Sequence, residues 1–559
     1  MLLTGAEMVV KCLEKHGVEV VFGYPGAANC PIIDKLSFSG IRHILTRNEQ
    51  GAAHMASGYA RVTKKAGVCT ATSGPGATNL ITGIATAYMD SVPMIVLTGQ
   101  VASAVIGKDA FQEVDITGAT LPFTKHNYLV EDGTQIKRIM EEAFHIATTG
   151  RKGPVLIDIP MDYLKATYEY PDEDEPVKIR GYRVLEKVNE AQIKKVAAAI
   201  EDSKKPLILA GGGIVGSDAI GDFRKLVEQS DIPVVATMNG IGTLPTDDEL
   251  YLGMIGSHGR KSANRALLKA DTVIIMGARL GDRSVYNAKR LEDSAKLIHI
   301  DIDPAEIGKN MQPIIPVVGD IKEVINQLLP RLKNYKVKDE WLEEIKVLKE
   351  SDIKYTSVPK DKGYVDPKYF MSALSKTLGK DVYVSTEVGQ NQIWTANYFN
   401  FENARSFITS AGFGTMGYGL PAAIGASVAT KNPVVAVMGD GSFQMDLPEL
   451  ATMCQWDIPV KMVVFENKRL GMVHEHQYLL YKSNYQAVFL DGSPDFEKLA
   501  DAYGIKCAKI NENSEIEEGI KKLMADKESF LLIVSVDPAE PTGDALNEDK
   551  LPKGGQNNE

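Results

Sequence analysis

Short, unbroken apolar runs alternate with amphipathic stretches along most of this chain, and that rhythm predicts its elements. The run Val434–Met438 is long enough for one strand and carries no polar residue, the pattern of a strand covered on both faces. Gly439-Asp-Gly-Ser442 interrupts it, Leu447–Cys454 is apolar at helical spacing, and Ile458–Phe465 is a second strand-length run with Asn467 just past its end. This is a βαβ unit with parallel strands, so Asp440 and Asn467 both fall at carboxyl ends of strands, where open α/β sheets bind ligands. The amino-terminal part repeats the rhythm. A helix over Ala6–His16 stops at Gly17, and Val18–Phe22, Ile41–Thr46, Ala66–Ala71 and Met94–Leu97 are strands. Between them lie the turn Gly23–Gly26, a helix from Arg47-Asn-Glu49 through Ala60, the loop Ser73–Gly76 and a helix over Thr78–Tyr88.

Strands alternating with helices predict an α/β protein of three doubly wound, parallel-sheet domains. The expected boundaries are 1–167, 185–332 and 363–537, with a polar tail at 538–559. Tyr168–Pro176 is acidic and proline-bounded, a linker, and Lys333–Lys362 is charged and reads as a helical connector. In the central domain Leu207–Ala210, Thr272–Met276 and Leu297–Ile302 are strands.

A length of 559 residues fits three ordinary domains, and a net charge of −11 argues against nucleic acid or an anionic membrane as partner. The five cysteines are scattered without metal-binding spacing, as expected of free thiols in a reducing compartment. Glu7, Lys11, Glu14 and Lys15 break up any signal-peptide core, and no run is long enough for a membrane span, so the expected location is cytoplasmic.

Three features carry chemistry. Asp440, the Asn467 amide oxygen and a loop carbonyl are hard oxygen donors that suit Mg²⁺, with the Gly441 and Ser442 amides free to face a phosphate. Taken alone, Gly-Asp-Gly is a common tight turn. Glu49 opens a helix, a place where the helix dipole favours any carboxylate. Gly211–Gly216 fits G-x-G-x-x-G after a strand. It admits NAD with Glu228 or Asp231 on the ribose, a glycine turn that binds nothing, or another dinucleotide.

Gly439-Asp-Gly441 with Asn467 placed 27 residues after Asp440 resembles the metal motif of thiamine diphosphate enzymes. The segments Val21–Gly26, Thr46–Met55, Thr72–Asn79, Asp109–Glu113, Val388–Gln390 and Gly412–Gly417 resemble, in order and spacing, the acetohydroxyacid synthase (acetolactate synthase) large-subunit family. The likeness spans nearly the whole chain. It implies a pyrimidine-binding first domain, a central FAD- or Rossmann-like domain and a diphosphate-binding third domain. It places Mg²⁺ on Asp440, Asn467 and the Arg469 carbonyl, and Glu49 on the pyrimidine N1′. Thiamine diphosphate would further contact Gly26, Gly389, Gln390, Asn391, Gly414, Met416, Gly441, Ser442 and Met472. The likeness implies FAD, redox-inert in this reaction, near Gly212, Gly213, His258, Arg279, Asp301 and Asp320. Gln112 and Arg283 would act on the substrates, and Phe111 and His476 would shape acceptor choice.

The implied reaction is decarboxylation of pyruvate on the cofactor and ligation of the hydroxyethyl carbanion to a second 2-oxoacid, giving 2-acetolactate. The implied assembly is a homodimer or tetramer with the active site at the dimer interface and a small regulatory subunit as a candidate partner. Alternatives are another thiamine diphosphate-dependent decarboxylase or acyl transferase, and a non-catalytic binding protein of the same fold. The chain departs from the family at His476 (usually Trp), Met161 (Lys), Gly281 (Asp), Asn48 (His) and Glu466 (Asn), and in its tail, which lacks an apolar-proline ending.

Overall fold

The apolar runs build three six-stranded parallel sheets in a computed structural model that describes residues 1–171, 176–184, 187–285 and 288–543. The first contains β1 (Val20–Gly23), β2 (Arg42–Leu45), β3 (Gly67–Ala71), β4 (Met94–Gln100), β5 (His126–Leu129) and β6 (Pro154–Pro160), in the order β2-β1-β3-β4-β6-β5. β4 and β6 pair from Met94 opposite Pro154 to Gln100 opposite Pro160 and are buried throughout, which explains their near-continuous apolar sequence. Helix α1 (Glu49–Thr63) follows β2. The expected loop through Gly76 winds instead into a short helix, α2 (Pro75–Asn79), because Pro75 presets φ for a first helical turn.

The central sheet holds β7 (Pro206–Ala210), β8 (Val234–Ala236), β9 (Tyr251–Met254), β10 (Thr272–Met276), β11 (Lys296–Asp301) and β12 (Ile315–Val318), in the order β9-β8-β7-β10-β11-β12. The chain steps outward from β7 in one direction and from β10 in the other, so the β7–β10 boundary is the topological switch point. Gly211–Gly216 lies there and forms helix α3 (Gly212–Gly216). The Lys333–Lys362 stretch is more than a connector. Its helix α4 (Asp339–Glu350) buries Trp341, Ile345 and Leu348 in the central core, with the Trp341 indole N–H donating to the Pro206 carbonyl at 2.9 Å. Charged residues dominate its sequence, but the apolar ones recur at i, i+4 and i+7, enough for one buried stripe.

The third sheet holds β13 (Tyr383–Thr386), β14 (Phe407–Ile408), β15 (Val434–Gly439), β16 (Lys461–Glu466), β17 (Lys506–Ile510) and β18 (Phe530–Ser535), in the order β14-β13-β15-β16-β18-β17. β16 starts at Lys461 rather than Ile458, since Pro459 has no amide for the ladder. Helices of this region are α5 (Gln390–Tyr398), α6 (Gly419–Ala429), α7 (Asp440–Phe443), α8 (Glu449–Trp456) and α9 (Gly471–Leu480).

Two compact units emerge. One comprises Met1–Val184, Ser410–Ala436 and Met445–Val460; the other holds the remaining described residues. In the first unit α6 lies against α1 at glycine-limited distance. A Cβ on Gly58 would meet the Ala422 carbonyl oxygen at 2.0 Å, and one on Gly425 would meet the Met55 carbonyl oxygen at 1.9 Å. Two backbones therefore touch directly where any larger residue would force the helices apart.

Candidate active site

In the first unit the site is built on the amino end of α1. Asn48 caps that helix by accepting from the Gln50 amide at 2.8 Å, which makes Glu49 its first residue. Glu49 is only 9 % exposed, and its Oε2 accepts from the Asn79 side-chain amide at 2.9 Å. Gly76 makes room for this carboxylate, since a Cβ there would lie 3.1 Å from Glu49 Oε1. Gly26 packs on Thr72, where a Cβ would sit 2.5 Å from the Thr72 Cβ. Gln112 adopts a left-handed backbone (φ 60°) over Gly74 (φ 58°), and neighbouring Phe111 is 87 % exposed. Gly414 (φ 72°) is exposed and Met416 half-buried, in a loop tied down by Asp90, which accepts from the Ala411 and Gly412 amides at 3.0 and 2.9 Å.

In the second unit Asp440 stands at the end of β15 and is 1 % exposed. Its Oδ1 accepts from the Gly441 amide at 2.9 Å, and its Oδ2 from the amides of Asn467 and Lys468 at 3.1 and 2.5 Å. Burial pushes the Asp440 carboxyl up to about 6, against the pull of those amide bonds. A buried carboxylate in this position gains from a bound cation. Asn467 Oδ1 accepts from the Arg469 amide at 3.0 Å, and its Nδ2 donates to Gln390 Oε1 at 3.3 Å. The Asn467 backbone amide therefore meets the Asp440 carboxylate at adjacent strand ends, and the Asp440 carboxylate and Asn467 Oδ1 are oxygen donors of the kind that suits Mg²⁺. Ser442 hydroxyl donates to the Gly439 carbonyl at 3.1 Å. Gly389 (φ 146°) leads into α5, whose Asn391 donates to the Val437 carbonyl at 2.9 Å. A Cβ on Gly471 would lie 2.0 Å from Gln390 Oε1, so glycine is what lets α9 begin here. Met472 and His476 ride on α9, Met472 half-buried and His476 exposed, with the His476 ring 5.8 Å from Tyr481.

The start of the polar tail is anchored rather than loose. Gln390 Nε2 donates to the Glu540 carbonyl at 2.9 Å, and Lys368 pairs with the Glu540 carboxylate at 2.8 Å. Thr542 donates to Glu475 of α9 through its amide at 3.1 Å and also through its hydroxyl. Charged and amide partners hold this segment in place. Residues 544–559 of the expected tail lie outside the described residues, as do 172–175 of the linker.

The central-domain positions follow the carboxyl edge of their sheet. Gly212 and Gly213 follow β7, His258 follows β9, Arg279 follows β10, Asp301 ends β11 and Asp320 follows β12. A Cβ on Gly213 would lie 2.6 Å from the Gly277 Cα, so two glycine backbones meet at the switch point, with the Ile321 side chain packed against both. Asp301 Oδ1 accepts from the Asp303 amide at 2.9 Å, and Asp320 caps the next helix through the Lys322 amide at 2.8 Å. In doubly wound sheets the carboxyl edge at the switch point is where nucleotides bind. The NAD alternative fails on position. Glu228 and Asp231 precede β8, on the opposite edge from Gly211–Gly216, and Asp231 ends its helix and pairs with Lys336 at 2.7 Å. Arg283 keeps a mostly exposed guanidinium 3.8 Å from Asp282.

Asn79 and Glu449 are supporting residues that the sequence patterns assign no role. Glu449, 2 % exposed, accepts from the Arg47 and Asn48 amides at 3.1 and 3.0 Å and from the Thr452 hydroxyl at 2.6 Å. Burial pushes its carboxyl up, and those bonds oppose the shift. Only the fold brings α8 to the residues preceding Glu49. Among the described residues no helix is long and apolar enough to cross a membrane.

Comparison with known proteins agrees with this layout. Family models describing thiamine pyrophosphate enzymes match residues 3–119 (N-terminal TPP binding domain), 193–328 (central domain) and 387–534 (C-terminal TPP binding domain). A probable acetolactate synthase large subunit of Methanocaldococcus jannaschii is 46 % identical over 549 residues, covering 96 % of this chain and 93 % of its own. The acetolactate synthase large subunit of Lactococcus lactis is 42 % identical over 540 residues, 96 % of this chain and 93 % of its own. That of Haemophilus influenzae is 40 % identical over 566 residues, 99 % of this chain and 98 % of its own. With Glu49 and Asp440–Asn467 each seated within a matched thiamine pyrophosphate-binding domain, the chain belongs to the acetolactate synthase large-subunit family of thiamine diphosphate-dependent enzymes.

Proposed function

We propose that this protein is the catalytic large subunit of an acetolactate synthase, joining two molecules of pyruvate, with loss of CO₂, into 2-acetolactate for branched-chain amino acid synthesis. The observation that carries the reading is that the chain has both a buried, amide-held Glu49 and a buried Asp440 with Asn467 beside it, and matches such enzymes over 96 % of its length. When bound, thiamine diphosphate supplies the nucleophilic carbon and the electron sink for decarboxylation. Asp440, Asn467 and the Arg469 carbonyl hold Mg²⁺ against its diphosphate, and Gly389, Gln390, Asn391, Gly441 and Ser442 offer polar backbone or side-chain groups to the phosphates. Glu49 holds the pyrimidine N1′ and relays a proton there. Gly26, Gly414, Met416 and Met472 shape the cofactor's seat. Gln112 orients the bound oxoacid, Arg283 takes an oxoacid carboxylate through guanidinium pairing, and Phe111 and His476 line the acceptor's place. FAD would be held at the central switch point by Gly212, Gly213, His258, Arg279, Asp301 and Asp320, as a structural group.

The functional domains are 1–167, 185–332 and 363–537. Two copies share each site, Glu49 from one and Asp440 from the other, in a cytoplasmic homo-oligomer that a small regulatory subunit joins. The test is purified protein with thiamine diphosphate, Mg²⁺ and FAD, given pyruvate alone and then pyruvate with 2-oxobutyrate, with products identified by mass. Formation of 2-acetolactate from pyruvate is the expected result. Acetaldehyde as the sole product would replace this reading with a non-ligating decarboxylase, and no turnover would favour a non-catalytic relative.

A further inference from the structure

Glu49 is held at two ends. Asn79 grips the carboxylate, while the peptide leading into it is gripped by one face of α8. On that face Glu449 accepts both the Arg47 and Asn48 amides, Thr452 braces Glu449, and Gln455 accepts from the Arg47 guanidinium at 2.6 Å. These three stand at i, i+3 and i+6, one side of a helix. Gly51 admits the carboxylate, because a Cβ there would sit 2.6 Å from Glu449 Oε1. The helix does not require Glu449 as its cap, since Asn48 already fills that role for the Gln50 amide. Burying a carboxylate is costly, and here its two backbone bonds fall on the pair of residues immediately before Glu49. Their consequence is therefore local: they set the position from which the Glu49 side chain departs.

We propose that Glu449 is a positioning residue for Glu49, fixing the Arg47–Asn48 peptides so that the Glu49 carboxylate meets the cofactor's pyrimidine in register. The inference rests on the assignment of Glu49 to N1′ made above. Misplacement of a reacting group by about 1 Å costs on the order of a hundredfold in rate. The experiment compares wild type, Glu449→Ala, Glu449→Gln and, as reference, Glu49→Gln. Three quantities are read: hydrogen–deuterium exchange at C2 of bound thiamine diphosphate, the cofactor Kd, and amide exchange at Arg47 and Asn48 in cofactor-free protein.

Glu449→Ala should slow C2 exchange about tenfold or more and speed amide exchange at both positions. The cofactor Kd should stay within about threefold, because Asp440 and Asn467 carry the diphosphate end. Glu449→Gln keeps one acceptor oxygen and the side-chain volume, so it should restore part of the C2 rate; should the alanine variant not fold, this variant decides on the same three readouts. Wild-type C2 exchange in a folded Glu449 variant, with Glu49→Gln slow, would overturn the proposal and leave the Glu49 assignment intact. A fall in C2 exchange matched by an equal loss of cofactor affinity would make Glu449 a general structural residue and also overturn it. Wild-type exchange in Glu49→Gln would remove the Glu49 assignment, and this inference with it.

Discussion

Asp158 lies on β6 and is 2 % exposed. It accepts from the Thr98 hydroxyl at 2.7 Å and from the Gln100 amide at 2.8 Å, and the same Gln100 amide donates to the Val114 carbonyl at 2.9 Å. Burial pushes its carboxyl from 3.8 up to about 6. In the folded protein Asp158 thus keeps its proton to higher pH than in the unfolded chain. Its contribution is most favourable below the unfolded value and is lost as pH rises toward 6. With these two values the loss is about 1.6 kcal/mol at pH 5 and about 3 kcal/mol by pH 7.5, or about 1.4 kcal/mol across that window. At ~2–4 °C per kcal/mol for a unit of this size, the transition of the unit that holds Asp158 should drop by about 3–6 °C in wild type from pH 5 to 7.5 on this account.

Asp158→Asn removes the titration. Its amide also faces the Gln100 amide as a second donor, which costs about 1–3 kcal/mol at pH 5. The assay is differential scanning calorimetry of both proteins at pH 5.0, 6.0 and 7.5. The gap between wild type and variant should narrow as pH rises. A gap that stays constant or widens would refute the reasoning.

Asp440→Ala should abolish detectable thiamine diphosphate binding by calorimetry in the presence of Mg²⁺, because the diphosphate charge is then unneutralised; wild-type affinity would refute the anchor. Co-refolding or subunit exchange of inactive Glu49→Gln with Asp440→Ala chains should restore part of the activity, since one mixed site is intact, and proven heterodimers without activity would count against a shared site. The purified protein should be yellow with FAD absorption that is unchanged during turnover, and a colourless, fully active protein would contradict flavin binding. His476→Trp should move the product ratio with mixed oxoacids toward 2-aceto-2-hydroxybutyrate, by at most the ~1–3 kcal/mol that one methylene is worth. A native enzyme that already prefers 2-oxobutyrate strongly would refute the pocket argument.

Much of the architecture follows from residue pattern alone. Strands buried on both faces need mostly apolar runs, so β3, β4, β10 and β15 are visible as such, and Gly439-Asp-Gly441 marks the carboxyl end of β15. Asp440 and Asn467 could be paired because parallel neighbours of a βαβ unit end side by side, a consequence of chain direction. Local chemistry also placed Glu49 at a helix start. What periodicity left open was settled by contacts distant in sequence. The charged stretch holding α4 hides a stripe of three apolar residues that matters only when the central core receives it. The acidic residues near Gly211–Gly216 look suited to a ribose until the parallel direction of β7 and β8 puts them on the opposite edge. The tail beyond Pro538 is polar, yet Gln390, Lys368 and Glu475 anchor its first residues. Glu449 reads as an ordinary helix-opening acid, and only the fold sets it against the amides of Arg47 and Asn48 some 400 residues earlier. Sequence determines which segments are strands, helices and turns, because those depend on side-chain period and backbone freedom within a few residues. Which buried carboxylate faces which backbone amide depends on close packing between segments far apart in the chain, and that only the tertiary structure decides.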